Sequence, residues 1–333
     1  MKIAIDTRPL VSGDSVRGIG VYTRELVNGF KKSKKGFTVL DDDFNSKEFS
    51  KFDLIHFTSF NPYIVSIPFV KPKNTKFILT IYDLIPLIYP AHYPPGIKGG
   101  IRWILNKYLI KKNVDAILTI SETSKKDICR FLGVDPNIVH VVYLAPRDIF
   151  KPISNTSILY SIEVKYKLLK KFVLYVGDVN YNKNIPGLVK ACALAKLPLV
   201  IVGKQAKEIE SLDLNHPELR HLKNIDWTGV VRLGFVPNED LVAIYNLATV
   251  YIQPSLYEGY GLPAVEANAC KIPMVLVRSQ CMVEIMGDEF SYCNSDAESI
   301  SKAILNPNRK NKLSRIYSWE KTANETWEVY KNV

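Results

Sequence analysis

Short apolar runs rich in β-branched and aromatic residues alternate along this chain with segments whose apolar positions recur at helical spacing. The runs at 2–6 (KIAID), 54–58 (LIHFT), 76–83 (KFILTIYD), 116–121 (AILTIS) and 138–144 (IVHVVYL) read as buried strands. Between them, 20–30, 99–112 and 121–133 carry helical periodicity, and the last has Ser121 placed to cap its start and Gly133 to stop it. Alternating strands and helices predict an α/β fold with a parallel sheet wound by helices. The pattern pauses at 145–157 (APRDIFKPISNTS) and restarts with strands at 172–178, 197–203, 231–236, 250–255 and 272–277 and helices at 185–195 and 238–248. A second set of βα units follows, with a domain boundary expected near 148–156: residues 1–150 form one Rossmann-like domain and residues from 151 onward another. Doubly wound domains of this kind take ligands at the carboxyl ends of their strands, so the expected site is a cleft between the two.

Composition narrows the picture. A chain of 333 residues exceeds the size at which a single core stops growing, and 47% hydrophobic content supplies core for two domains. No apolar run reaches the ~18 residues of a membrane span. The opening MKIAIDTRPL carries an Asp at position 6 and reads as a first strand rather than a signal peptide. Five cysteines form no CxxC pair and fit reduced thiols, so a cytoplasmic location is expected. Basic residues outnumber acidic ones 22 to 14 in residues 1–150 and 22 to 19 in 151–333, which points the first half at an anionic partner, phosphates or a membrane surface. No pattern of a nucleic-acid-binding module is present, and nucleic acid is not expected as a partner. Residues 99–112 (GGIRWILNKYLIKK) interleave aromatics with cations; an amphipathic helix with its apolar face buried is the expectation, peripheral contact with an anionic membrane face the rival.

The stretch 254–270 (PSLYEGYGLPAVEANAC) holds the densest chemistry. It follows a strand, and PAVEANACK has helical composition with Pro263 suited to the first helical position. Leu262, ahead of it, offers no side-chain oxygen, so the first N–H groups of the helix need another partner, and phosphate oxygens are the natural one. Glu258 precedes the turn and Glu266 sits one turn into the helix. Carboxylates repel phosphate, so their partners are hydroxyls on either side of it; a molecule with hydroxyls flanking a diphosphate is a sugar nucleotide.

EGYGLPAVE resembles the E-x7-E signature of retaining GT-B glycosyltransferases of sequence family 4 (glycosyltransferase group 1), and the likeness runs nearly end to end. GIGVYTREL (18–26), LTIYDLIPLIYPAHYP (79–94), SETSKKDI (121–128), YVGDVNYNKNIPGLVKA (175–191), LGFVPNEDLVAIYNLATVYIQPSLYEGYGLP (233–263) and YSWEKTANETWEVY (317–330) follow in family order. The resemblance implies two Rossmann-like domains facing a cleft: an acceptor domain (1–150), a nucleotide-sugar domain (151–316) and a terminal helix (317–333) that crosses back to the first. It also implies roles. Glu266 holds the donor ribose; Glu258 the hydroxyls of the transferred sugar; Lys183 neutralises the departing diphosphate. The backbone of Gly259, Tyr260, Gly261 and Leu262, with Gly18 and Gly20, cradles phosphate, and Ser255, Arg232 and Val236 complete the donor set. Tyr82 stands where the family has His, and Asp83 beside it becomes the ionisable group of that corner. Further departures are Asp178 after Gly177, Asn182 where a basic residue is common, and Lys271 where Gly is usual, which leaves Lys183 as the assigned cation of its loop, with Arg232 or Lys204 as substitutes.

The expected activity is transfer of a hexose, mannose first, from GDP-mannose or a UDP-sugar to an acceptor hydroxyl of a glycan or lipid-linked acceptor, with retention. No DxD-like pair sits at a strand end and no Cys or His spacing matches a metal site, so no cofactor or metal is expected. The rivals are a catalytically decayed nucleotide-sugar-binding protein and a GT-B sugar-nucleotide epimerase; an NAD-dependent oxidoreductase would need a GxGxxG that GDSVRGIGVY lacks.

Overall fold

The computed structural model describes residues 1–13, 15, 17–40, 46–307, 313 and 315–333. The chain divides into two compact units: Met1–Pro90 with Pro94–Ala145 and Tyr317–Val333, and Pro146–Ile316 with Ala91–Tyr93. The division at Ala145/Pro146 falls a few residues before the boundary that the apolar pattern places near 148–156.

In the first unit the elements run β1 (Ile3–Asp6), α1 (Gly18–Lys32), β2 (Thr38–Leu40), β3 (Leu54–Phe57), β4 (Lys76–Thr80), α2 (Ile85–Ile88), α3 (Gly96–Asn113), β5 (Ala116–Thr119), α4 (Glu122–Leu132) and β6 (Val139–Val141). All strand pairs are parallel, in the order β2-β1-β3-β4-β5-β6. β1, β3 and β5 are buried along their length, which is why they read as unbroken apolar runs. β2 is an exposed edge strand of three residues, too short and too polar on its flanks for the sequence pattern to register. The Ser121 hydroxyl accepts from Ser124 N, and Gly133 closes α4 in the left-handed conformation, as the capping residues predict. α3 corrects its sequence reading: Leu109 and Ile110 are buried, but Ile97, Ile101, Ile104 and Tyr108 are exposed, so the helix is apolar on two faces.

The second unit begins with α5 (Thr156–Lys165), a helix whose start falls inside the stretch read as a pause; Asn155 caps it by accepting from Ser157 N and Ile158 N. β7 (Val173–Val176), α6 (Ile185–Ala195), β8 (Leu199–Val202), α7 (Lys204–Lys207), β9 (Val230–Gly234), α8 (Asn238–Leu247), β10 (Val250–Gln253), α9 (Leu262–Ala269), β11 (Met274–Val277), α10 (Gln280–Met286), β12 (Tyr292–Cys293) and α11 (Ala297–Leu305) follow. The sheet is parallel, in the order β12-β11-β10-β7-β8-β9. Chain order reverses direction between β7 and β10, and the loops that leave the carboxyl ends of these two strands flank the switch point where open α/β sheets bind ligands.

α12 (Trp319–Asn332) follows the second unit in sequence but belongs to the first. It lies against α1 so closely that a Cβ on Gly29 would come 2.7 Å from Ala323 Cβ. Phe30 packs on Trp327 and Tyr330, and the Thr322 hydroxyl donates to the Tyr143 carbonyl at 2.7 Å. Tyr330 reaches the buried His56, 2.5 Å from its Nδ1, and the other ring nitrogen lies 2.7 Å from the Thr80 hydroxyl. Burial pushes that imidazole down to about 3, so it is a neutral core group.

Candidate active site

The loop after β7 and the loop after β10 meet through Asn182. Its backbone carbonyl accepts from Leu256 N at 2.8 Å, and its side-chain amide donates to the Tyr257 carbonyl at 2.9 Å. Its Oδ1 accepts from the Tyr93 hydroxyl at 3.0 Å. An Asn at this position, where the family often has a cation, thus ties the two loops together. The consequence is immediate: Lys183, next in the chain, holds Glu258 through both carboxylate oxygens, at 2.7 and 2.9 Å.

Glu258 is 6% exposed, and a buried carboxylate needs donors. Besides Lys183, its Oε1 accepts from the Ser255 hydroxyl at 2.6 Å and the Gln253 amide at 2.8 Å. Gln253 is fixed in turn by Tyr251, whose hydroxyl donates to its Oε1. Strand β10 and the residues just beyond it thereby carry a buried polar column, Tyr251–Gln253–Ser255, that ends on Glu258. Just ahead of Lys183, Tyr181 is stacked on His92 with ring centroids 3.3 Å apart and meets His221 edge-on. Both histidines pack on the loop.

Gly261 starts α9 with φ of +87°, a conformation costly for any residue with a Cβ, and such a Cβ would also displace the end of the Met282 side chain. The helix begins at Leu262, one residue before the expected Pro263, and no side chain caps it. Tyr260 is buried and Leu262 half-buried beside it. Five residues into α9, Glu266 is 3% exposed and its Oε1 accepts from Arg147 Nη2 at 2.9 Å and Nε at 3.2 Å. Arg147 also donates to Asn238 Oδ1 at 2.7 Å and lies over the Phe150 ring. Burial, partly offset by the Arg147 charge, pushes the Glu266 carboxyl up to about 7.

Of the expected site residues, the second unit brings Lys183, Ser255 and Glu258 into one hydrogen-bonded cluster, with Gly259, Tyr260, Gly261, Leu262 and Glu266 following in the same loop and helix. Arg232 is placed otherwise: on edge strand β9 it pairs with Glu210, donates to the Ala206 carbonyl and lies over Trp227. None of these partners belongs to the cluster. Val236 is buried just beyond β9. In the first unit, Gly18 and Gly20 occupy the first turn of α1, which has no side-chain cap. The Tyr82 hydroxyl donates to the Thr58 carbonyl at 2.6 Å and its ring meets Tyr22 edge-on, so its single proton is committed to the protein. Asp83 Oδ1 accepts from Ile85 N at 3.1 Å at the start of α2.

Sequence reasoning missed two residues, Arg147 and Gln253, and the role of a third, Asn182. Arg147 lies in the stretch without periodicity, where nothing marks a lone arginine. Gln253 reads only as the end of a strand. The role of Asn182 depends on which loop faces it. Among the described residues, no group of three or more His, Cys, Asp or Glu is placed to hold a metal ion. No disulfide joins any of the five cysteines, all of them among the described residues. No helix among the described residues is long and apolar enough to cross a membrane.

The comparisons with known proteins agree with this architecture. Residues 43–145 match the Glycosyltransferase Family 4 model and residues 163–317 the model for glycosyl transferases group 1. The O-antigen chain mannosyltransferase B of Escherichia coli is 27% identical over 277 residues, covering 76% of this chain and 70% of that protein. The serotype-specific mannosyltransferase WbdA of Escherichia coli is 26% identical over 266 residues, 76% of this chain but only 32% of that much longer protein. Among solved structures, Anabaena HepE in complex with UDP and glucose superposes over 100% of both chains with a TM-score of 0.67 at 14% identity, a likeness of fold. The chain belongs to the group 1, family 4 glycosyltransferases and has their GT-B fold.

Proposed function

We propose that this enzyme moves a mannosyl group from a nucleoside-diphosphate mannose, GDP-mannose first, to a hydroxyl of a glycan or lipid-linked acceptor, with retention of configuration and without a metal ion. The observation that carries this reading is the Lys183–Glu258 pair at the switch point of the second sheet, ahead of the uncapped start of α9 and Glu266. Cation and carboxylate satisfy each other here, and a sugar diphosphate satisfies both at once: phosphate oxygens take the ammonium while sugar hydroxyls donate to the carboxylate. As the glycosidic bond breaks, negative charge grows on the diphosphate, and the ammonium already resting on its oxygens stabilises that charge. Glu266 accepts from the ribose hydroxyls, a contact equal in ground and transition states. The leaving diphosphate takes the acceptor proton on the face it departs from, so no enzyme carboxylate becomes a covalent nucleophile. The second unit is assigned the donor. Tyr82 and Asp83 of the first unit are assigned the acceptor, and the mannosyltransferase relatives favour mannose over other hexoses.

The test pairs ligand-induced thermal shifts with product analysis. GDP-mannose should raise the melting temperature more than UDP- or ADP-sugars, since only a ligand of the folded state stabilises by mass action. GDP release should require an acceptor, and the anomeric proton of the product should match the donor's α configuration. An inverted anomer, or nucleotide-sugar turnover without an acceptor, would overturn the proposal.

A further inference from the structure

α3 presents four large apolar side chains to solvent: Ile97 is 86% exposed, Ile101 62%, Ile104 70% and Tyr108 58%. Their spacing of four, three and four residues places them within an arc of about 60° on a helix turning about 100° per residue. Between Gly96 and Asn113 the helix carries five basic residues and no acidic one. At the same pitch, Lys107 and Lys111 fall on one flank of the apolar arc, and Lys98 and Lys112 on the other. Lys112 Nζ lies 5.7 Å from the Tyr108 ring centre.

The opposite face is locked. The buried Asn106 donates to the carbonyls of Pro62 at 3.0 Å and Ile64 at 2.8 Å, and Asn113 to that of Pro68 at 2.6 Å, with Leu109 and Ile110 in the core. The helix therefore cannot roll its isoleucines inward without abandoning these bonds in a buried setting.

We propose that this face of α3 docks the enzyme on the surface of an anionic lipid bilayer, lying in the interface with Ile97, Ile101, Ile104 and Tyr108 immersed and the flanking lysines at the headgroups. An apolar ridge between two rows of cations complements a bilayer, where acyl chains lie beneath anionic phosphates, and lysine stems are long enough to reach those phosphates from beside an immersed helix. A protein partner would need acidic groups set on both sides of an apolar groove. The proposal does not depend on the donor or on the direction of transfer.

The test is co-sedimentation of the full chain with sucrose-loaded vesicles of phosphatidylcholine containing about 30% phosphatidylglycerol, against pure phosphatidylcholine. Binding to the anionic vesicles should exceed that to neutral ones by roughly tenfold and weaken as salt rises toward about 0.5 M. Ile101→Gln with Ile104→Gln should lower the partition coefficient on the anionic vesicles about tenfold with the melting temperature unchanged, because both side chains are solvent-exposed. Lys107→Glu with Lys111→Glu should lower it at least as much on the anionic vesicles and leave the neutral ones unaffected. If the double isoleucine variant fails to fold, Ile97→Gln at the most exposed position takes its place. Equal binding to both vesicle types, or undiminished binding by the isoleucine variants, would overturn the proposal. So would a dimer in vesicle-free solution that the same isoleucine changes dissolve, since the stripe would then be a contact between copies.

Discussion

Glu266 is a carboxylate whose ionisation the fold opposes, and this sets its pH behaviour. Burial lifts it to about 7 even with Arg147 beside it. Below the ordinary carboxylate range both folded and unfolded chains hold the proton, and this group's contribution to stability is complete. Between that range and about 7 the folded protein keeps a proton that the unfolded chain has released, so the contribution falls as pH rises and is gone once pH has passed about 7. Donor binding should move the opposite way, because ribose hydroxyls need an ionised acceptor. Affinity for GDP, measured by calorimetry, should rise by up to about tenfold between about pH 6 and pH 8, and Glu266→Gln should flatten the profile. Arg147→Ala should shift the midpoint upward by removing the counter-charge beside that carboxylate; an unmoved midpoint would show that Arg147 serves packing alone.

Lys183 belongs to the same scale. Lys183→Met should lower kcat on the order of 10²-fold, the usual cost of losing a transition-state donor, with a smaller change in donor affinity. It also leaves Glu258 buried without its cation, so the melting temperature should fall as well. Glu258→Gln keeps the Ser255 contact and removes the charge, and combining the two changes should restore stability but not rate. That split separates a catalytic lysine from a structural one.

At the scale of elements, one left-handed turn and one close helix approach depend on glycine. Gly261 turns the chain from the β10 loop into α9, and Gly261→Ala should cost roughly 1–2 kcal/mol for the left-handed backbone alone. It should also weaken donor binding, since the turn positions the start of α9. Gly29 lets α12 seat on α1, and a Cβ there meets the side chain of Ala323 at 2.7 Å, so Gly29→Leu should destabilise the first unit while sparing the second. Scanning calorimetry should resolve the early transition. The α3 stripe is an element-scale feature too: periodicity marked the helix, but both of its faces carry apolar residues, and only packing shows which of them the core takes.

For the whole molecule, activity should survive EDTA, because a fixed ammonium and helix amides, rather than a divalent ion, are assigned the diphosphate. Rescue of an EDTA-inactivated enzyme by Mn²⁺ or Mg²⁺ would refute that assignment. The sequence by itself determined the βα alternation, the parallel sheets, the caps of α4 and the family, because buried strands and helix termini are local patterns of apolar residues, serine and glycine. It also marked Glu258, Glu266 and Lys183 by their order along the chain. Only the tertiary structure decided their partners. Lys183 and Glu258 are 75 residues apart, and Arg147 and Glu266 119 apart. No local pattern encodes such pairs: the first arises where parallel strands β7 and β10, distant in sequence, become neighbours in one sheet, and the second where the stretch ahead of α5 meets α9. β2, α5 and the Arg147 stretch escaped sequence reading for a related reason: each is short or lacks a regular apolar face, and owes its conformation to what it packs against.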